Sequence, residues 1–193
     1  LGINQIMEIK VIDNFADVQT QLKIIQHLFR DTLYTYNRSS VDHFVKKTKN
    51  TTDYPQLTKI IFDGRYLIMD NIFFSLVYYL LHINKLSNYF IDRIKINMNF
   101  PFPNNKKENY GPPHTDLDLP NPDLPGAKEA ISVLYYINNT DGDTVFFNKK
   151  LKEIKRVSPR QGRAVIFDSS INHAGSCPIY SPCRQVINII LYK

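Results

Sequence analysis

His114 and Asp116 stand two residues apart in Pro112-Pro113-His114-Thr115-Asp116-Leu117-Asp118. In an extended strand, residues i and i+2 project from the same face, about 7 Å apart along the chain. An imidazole nitrogen and a carboxylate oxygen can then converge on one metal ion. A second imidazole completes a two-histidine, one-carboxylate set, which holds Fe(II) on one face and leaves positions open for substrate and oxygen. His173 is the candidate for that third place. It lies beyond the apolar run Ala164-Val165-Ile166-Phe167 and begins a Gly-containing turn, Ala174-Gly175. Asp118 shares the face of His114 and is a rival carboxylate, but chelation from i and i+2 needs less distortion than from i and i+4, which favours Asp116. Asp168 reads as a turn residue or a support behind a ligand.

A His-x-Asp pair arises by chance in many chains, so the surroundings carry the weight. Arg184 follows His173 by eleven residues and opens the final apolar strand. A buried arginine there needs an anionic partner, and a dicarboxylate would supply one through a bidentate pair. Asn188 has the parity of Arg184 in that strand. Ile187, Ile189 and Leu191 have the opposite parity and should pack on the other side.

The elements that must position these residues follow from periodicity. Ile94, Ile96, Met98 and Phe100 alternate with Arg93, Lys95, Asn97 and Asn99, so the chain turns to strands after residue 90. A strand around His114 follows a Pro- and Asn-rich loop, 101–113. Further strands are expected over 131–138, 144–147, 163–168 and 185–192, with a basic hairpin over 148–156 and a loop over 119–130. Upstream, a strand over 8–12 leads to a helix capped by Asn14, with Val18, Leu22, Ile25, Phe29 and Leu33 as its buried stripe. Residues 37–58 read as a basic loop or short helical turns, holding His43, Lys46, Lys47 and Lys49. A largely apolar second helix spans 70–86. His27 and His82 read as ordinary helix histidines. Helices followed by about eight short strands suggest two packed sheets with helices on one outer face. The expected fold is mainly β with flanking α: a double-stranded β-helix (jelly-roll) core, 91–193, with residues 1–90 as N-terminal strand and helical support in one domain.

At 193 residues and 43% apolar composition, the chain can bury one real core. A net charge of +6 permits an acidic partner without demanding one. No run approaches the ~20 apolar residues that span a bilayer, and Leu1–Ile6 is too short and uncharged for a signal peptide. Those six residues read as an appendage ahead of Met7. No membrane partner and a cytoplasmic location are expected. Cys177 and Cys183 should be free thiols, with a disulfide across their short loop as the alternative. The lean toward Asn, Ile, Lys and Tyr is what AT-rich genomes, many phages and marine bacteria among them, tend to give.

After His114-x-Asp116 come, in order, Tyr135-Tyr136-Ile137-Asn138, Asp141-Gly142-Asp143-Thr144-Val145-Phe146-Phe147, Arg160-Gln161-Gly162-Arg163-Ala164-Val165-Ile166-Phe167-Asp168 and His173-Ala174-Gly175. This series resembles the 2-oxoglutarate and Fe(II)-dependent dioxygenases, nearest to their prolyl-4-hydroxylase-like branch. The likeness spans roughly residues 90–193, and Val11-Ile12-Asp13-Asn14-Phe15 has the same flavour. The resemblance implies that His114, Asp116 and His173 ligate iron and that Arg184 binds the distal carboxylate of 2-oxoglutarate. It implies that Tyr136 helps hold that carboxylate, with Asn188 beside it and Asn97 and Asn99 on the strand lining the pocket. Parity with Ser132, Leu134 and Asn138 turns Tyr136 inward; Tyr135 shares its face with Ile131, Val133 and Ile137. Two departures stand out: Phe100 and Pro101 occupy the place of a frequent tyrosine, and Arg184 replaces the lysine of many prolyl-4-hydroxylases.

The activity implied is hydroxylation of an aliphatic C–H with Fe(II), 2-oxoglutarate and O2, giving succinate and CO2, with ascorbate as an accessory reductant. A prolyl residue in a peptide or protein is the leading substrate, and a small molecule is the other class. Oxidation or demethylation of nucleic acid is the alternative within the superfamily. Lys149, Lys150, Lys152, Lys155 and Arg156 favour it; the lack of a second arginine after Arg184 in the last strand speaks against it. A non-catalytic jelly-roll binding or virion module is the remaining alternative.

Overall fold

The computed structural model describes residues 8–30, 33–39, 48–64, 68–116 and 130–193. Asp118, His43, Lys46, Lys47, Leu1–Ile6 and the loop over 119–129 lie outside these residues. Along the chain run β1 (Lys10–Ile12), α1 (Val18–Arg30), β2 (Thr35–Asn37), β3 (Gln56–Asp63), β4 (Ile68–Met69) and α2 (Asn71–Ile83). They are followed by β5 (Phe90–Asn99), β6 (Ile131–Tyr136), β7 (Thr144–Phe147), β8 (Glu153–Val157), β9 (Ala164–Asp168), β10 (Asn172–Gly175) and β11 (Arg184–Tyr192).

The larger sheet has the order β1-β9-β6-β11-β5-β3-β2, with β4 added to β3; the smaller has the order β10-β7-β8. Alternation along the central strand β11 divides the protein into two layers. On one face Ile187, Ile189 and Leu191 join Ile94, Ile96, Val133, Tyr135 and Ala164. They bury against Ile24 and Leu28 of α1 and Phe73, Val77, Leu80 and Leu81 of α2. On the other face Leu134, Tyr136, Val165, Phe167 and Val186 meet Phe146, Val157 and Ile171 beneath the smaller sheet. This is the expected double-stranded β-helix with helices on one sheet. Phe73→Ala should cost about 3–5 kcal/mol, because its ring is fully buried between helix and sheet. Chemical denaturation measures this, and a loss below about 1 kcal/mol would contradict the packing described.

Several local expectations need correction. Asp17, not Asn14, caps α1: its carboxylate accepts from the Thr20 amide at 2.9 Å and the Thr20 hydroxyl at 2.7 Å. Asn14 instead occupies a left-handed turn position at φ 55°, which asparagine tolerates well. The buried stripe of α1 is Thr20, Gln21, Ile24 and Leu28, with the expected Ile25 partly buried against the same core; Val18 and Leu22 are exposed, Leu33 lies beyond the helix, and the Phe29 side chain lies outside the described residues. The stripe is rotated because Gln21 takes a buried place. Its amide donates to the Ala16 carbonyl at 2.9 Å and accepts from Gln161 at 3.0 Å, so burial leaves it satisfied. Helix α2 starts at an Asp70 cap and stops before Leu86. There Asn84 turns its side chain back on the Leu80 carbonyl, and Lys85 adopts φ 60°. His82 is exposed. His27 packs beside Phe73, with ring centres 5.4 Å apart and the planes tilted by 43°.

Strand β3 replaces part of the expected loop. A bulge between Ile60 and Phe62 breaks its alternation, so Ile60 is partly exposed while Ile61 is fully buried. The period-two signal is therefore lost in the sequence. No helix among the described residues is long and apolar enough to cross a membrane. Cys177 and Cys183 are both free thiols.

Candidate active site

His114 does not lie within a ladder strand. It pairs with His173 through an isolated antiparallel bridge, with amide-to-carbonyl bonds of 3.0 and 2.8 Å in the two directions. The Asp116 amide then donates to the Ser169 carbonyl at 3.0 Å. His173 sits inside β10, not at a turn. The extended backbone from 114 to 116 still throws both side chains to one side, where His173 meets them. Ligand-capable atoms of His114, Asp116 and His173 all lie within 4.8 Å of one another.

Backbone carbonyls fix the state of both imidazoles. His114 Nδ1 lies 3.0 Å from the Pro112 carbonyl, and His173 Nδ1 lies 3.1 Å from the Ile171 carbonyl. A carbonyl only accepts, so each Nδ1 carries a proton, and in the neutral ring Nε2 is the nitrogen left to face a metal. His173 Nε2 stands 3.6 Å from Asp116 Oδ2, a separation too long for a hydrogen bond. Asp116 is held by a relay: Ser169 Oγ to Ser132 Oγ at 2.8 Å, then Ser132 Oγ donating to Asp116 Oδ2 at 2.6 Å. Asn188 Nδ2 donates to Oδ1 at 3.1 Å. Burial alone would raise the Asp116 carboxyl. The neighbouring His173 and His114, the Ser132 hydroxyl and Arg93 outweigh it and hold the group down to about 2. Burial, reinforced by His173, pulls His114 down to about 4 against the opposing pull of Asp116. An ionised carboxylate beside a neutral imidazole is the form in which these groups bind a divalent cation.

A second cluster forms around Arg184, which is buried at the start of β11. Its Nε donates to the Gly142 carbonyl and its Nη2 to Thr144 Oγ1, each at 2.8 Å. The guanidinium carbon lies 5.9 Å from the centre of the Tyr136 ring. Tyr136 also donates its hydroxyl to Thr144 Oγ1, at 2.7 Å. Both lone pairs of Thr144 are thus used, and its own proton is left to seek another acceptor. Among the described residues no carboxylate lies within ion-pair distance of Arg184. A buried cation with no carboxylate partner, beside a spare hydroxyl proton, fits an anionic ligand. The backbone makes room for it. A Cβ on Gly142 would stand 2.6 Å from the Ser176 carbonyl, and one on Gly175 would stand 3.2 Å from Arg184 Nη1.

The intervening wall is polar and incompletely satisfied. Asn97 Oδ1, Asn188 Oδ1 and Arg93 Nε are buried without a partner. Asn188 shares the inward face with Arg184 but reaches Asp116, so it stands at the His114–Asp116–His173 cluster and not beside the arginine. Asn97, opposite Val186, lies between the two clusters. Sequence reasoning missed Ser132, Ser169, Thr144 and Arg93. Parity with Tyr136 and Asn97 was the available signal for Ser132 and Arg93, whereas Ser169 and Thr144 enter only through tertiary packing.

Asp141 shapes the nearby 176–183 loop, accepting from the Ile179, Tyr180 and Ser181 amides at 3.0 Å each. Burial raises its carboxyl, but those amides and the Ser181 hydroxyl win and lower it to about 2. A lowered folded value means the stabilisation is present above the ordinary 3.8 and is lost as pH falls toward about 2. The gap in unfolding midpoint between wild type and Asp141→Asn should therefore narrow across that interval. A gap that stays constant there would contradict the assignment.

The basic hairpin is largely occupied with the fold. Arg156 grips Glu153 through two bonds of 3.0 and 2.9 Å and donates to the Lys107 carbonyl. Lys155 donates to the Ile9 carbonyl. These engagements explain part of the basic stretch without a nucleic acid.

Comparison with known proteins agrees with this geometry. Residues 102–192 match the model of the 2OG-Fe(II) oxygenase superfamily. Among curated proteins, none matches the chain in sequence. In fold the chain is similar to a 2OG-Fe(II) oxygenase family oxidoreductase from Burkholderia pseudomallei, at 12% identity and TM-score 0.66, covering 95% of this chain and 84% of that one. It is similar to a prolyl hydroxylase from Trichoplax adhaerens in complex with a hypoxia inducible factor peptide, at 18% identity and TM-score 0.56, covering 95% and 83%. It is also similar to the viral collagen prolyl hydroxylase of Paramecium Bursaria Chlorella virus-1 in its 2OG complex, at 15% identity and TM-score 0.55, with full coverage of both chains. The superfamily match over residues 102–192, the prolyl-hydroxylase-like fold and a donor set suited to iron converge on a 2-oxoglutarate-dependent dioxygenase.

Proposed function

We propose that this dioxygenase hydroxylates an aliphatic C–H, with a prolyl residue of a peptide or protein as the first candidate substrate. The observation that supports it most is the convergence of His114, Asp116 and His173 with both Nδ1 atoms tied to backbone carbonyls. His114 and His173 would present Nε2 to Fe(II), and Asp116 would add its carboxylate, oriented by Ser132 and Asn188. Arg184 and the Thr144 proton would take the distal carboxylate of 2-oxoglutarate, with Tyr136 packed behind them. Asn97 offers an unpaired carbonyl oxygen on the wall between. Bound iron with 2-oxoglutarate and O2 supplies the oxidising power, releasing succinate and CO2. The chain positions these reactants, and the Phe146 and Phe167 rings pack beside His173, with ring centres 6.2 and 4.8 Å away.

The test is a screen of prolyl peptides, free amino acids and oligonucleotides, following succinate and product mass together. Succinate coupled to the gain of one oxygen by a peptide or amino acid supports the proposal. Coupled oxidation confined to oligonucleotides would overturn it.

A further inference from the structure

Tyr110 and Phe147 meet edge to face at 4.9 Å, and both rings are buried. With Val145 and Ala174 they form a core of their own, on the face of β7 opposite Thr144 and Phe146. Three segments close around it. In the first, Thr48 Oγ1 lies 2.8 Å from the Tyr110 hydroxyl, and Asn50 and Thr52 bond the Tyr110 backbone. The second, ahead of Tyr110, is tied to β8, where Arg156 Nη1 donates to the Lys107 carbonyl at 2.9 Å. The third is the turn after Phe147. There the Asn148 side-chain oxygen accepts from the Lys150 and Lys152 amides at 2.9 and 3.0 Å. Leu151 takes a left-handed φ of 57° in that turn and packs on the same core.

These ties fix the backbone under a set of exposed lysines: Lys49 in the first segment, Lys106 and Lys107 in the second, and Lys149, Lys150 and Lys152 in the third. Among the described residues none of these ammonium groups has a hydrogen bond or an ion pair. Glu153 is taken by Arg156, which leaves Glu108 as the opposing carboxylate of these segments. Like charges gathered this way repel one another, and a partner of opposite sign relieves the repulsion. The patch also borders the candidate active site. Ala174 follows His173 in β10, and Tyr110 precedes His114 by four residues, at most roughly 14 Å of extended chain.

Nucleic acid is the poorer match. Single strands are held on exposed rings where bases stack, and arginine forks are the better grip on phosphate. Here both rings at the centre of the patch are buried, and Arg156 is committed to Glu153 and the Lys107 carbonyl. We infer that this lysine patch docks an acidic segment of the polypeptide substrate, a run of Asp and Glu lying a few residues from the one that is oxidised. That the partner is a polypeptide rests on the functional reading above; the patch adds how it is selected.

The test is fluorescence anisotropy with the anaerobic protein loaded with Fe(II) and 2-oxoglutarate. The probes are labelled peptides holding one prolyl residue and, about five residues to one side or the other, a run of acidic, amide or basic residues. A labelled single-stranded oligonucleotide of matching charge is measured beside them. At low salt the better-placed acidic peptide should bind at least about tenfold more tightly than its amide counterpart, the sum of several exposed charge pairs. The margin should shrink as salt is raised. Lys107→Glu, Lys150→Glu and Lys152→Glu together should erase it while the 2-oxoglutarate charge-transfer band is unchanged. The same three positions as Gln should retain part of it. Equal binding of acidic and amide peptides, or a margin that survives the charge reversal, would overturn the inference. So would an oligonucleotide bound more tightly than the acidic peptide, which would assign the patch to nucleic acid. Wild-type protein that forms no 2-oxoglutarate complex would overturn the functional reading, and with it the claim that the docked segment belongs to a substrate.

Discussion

Asp116→Ala is expected to abolish iron-dependent succinate formation while leaving the protein folded. Asp116 supplies the negative charge among the three clustered donors, and it alone joins the Ser132 and Asn188 bonds to the imidazoles. Disturbing groups that merely orient a ligand costs about 10- to 100-fold in metal affinity, so removing the ligand should cost at least that much. The fold should survive, because Asp116 lies outside the clusters that pack the helices and sheets. Metal titration with far-ultraviolet circular dichroism separates the two effects. A folded variant with near-normal turnover would move the carboxylate ligand elsewhere, with Asp118 the first position to examine.

Arg184→Ala should raise the 2-oxoglutarate requirement steeply while iron still binds. Truncating one member of a buried, hydrogen-bonded charge pair costs about 2–5 kcal/mol, or roughly 30- to 4000-fold. Arg184 also braces Gly142 and Thr144, so Arg184→Lys serves as a control that keeps a charge at the site. The lysine variant should fall between wild type and alanine. An unchanged requirement in a folded Arg184→Ala protein would place the cosubstrate's anchor elsewhere.

The parts of this protein legible in its sequence are those written as strict alternation. In β11, Ile187, Ile189 and Leu191 face the helices while Arg184 and Asn188 face the opposite way, as parity requires. In β6 the same rule separated Tyr135, in the helix-side core, from Tyr136, beside Arg184. Legibility failed where alternation was interrupted or where polar groups entered the core. The bulge in β3 hid a strand, and the satisfied burial of Gln21 rotated the expected stripe of α1. The site was legible as residue types but not as a network. No spacing rule links Ser169 to Ser132, or Thr144 to both Tyr136 and Arg184. These contacts form because β7 and β10 fold over the larger sheet. Asn188 shows the limit of parity: it gave the correct face but not the correct neighbour.

The most direct test of the central claim is the visible absorption of the anaerobic protein with Fe(II), before and after 2-oxoglutarate is added. If His114, Asp116 and His173 hold iron and the Arg184 cluster takes the distal carboxylate, 2-oxoglutarate should generate a new charge-transfer band, and Arg184→Ala should need far more of it for the same signal. Iron that binds without any such band, or a protein that binds no iron, would contradict the assignment.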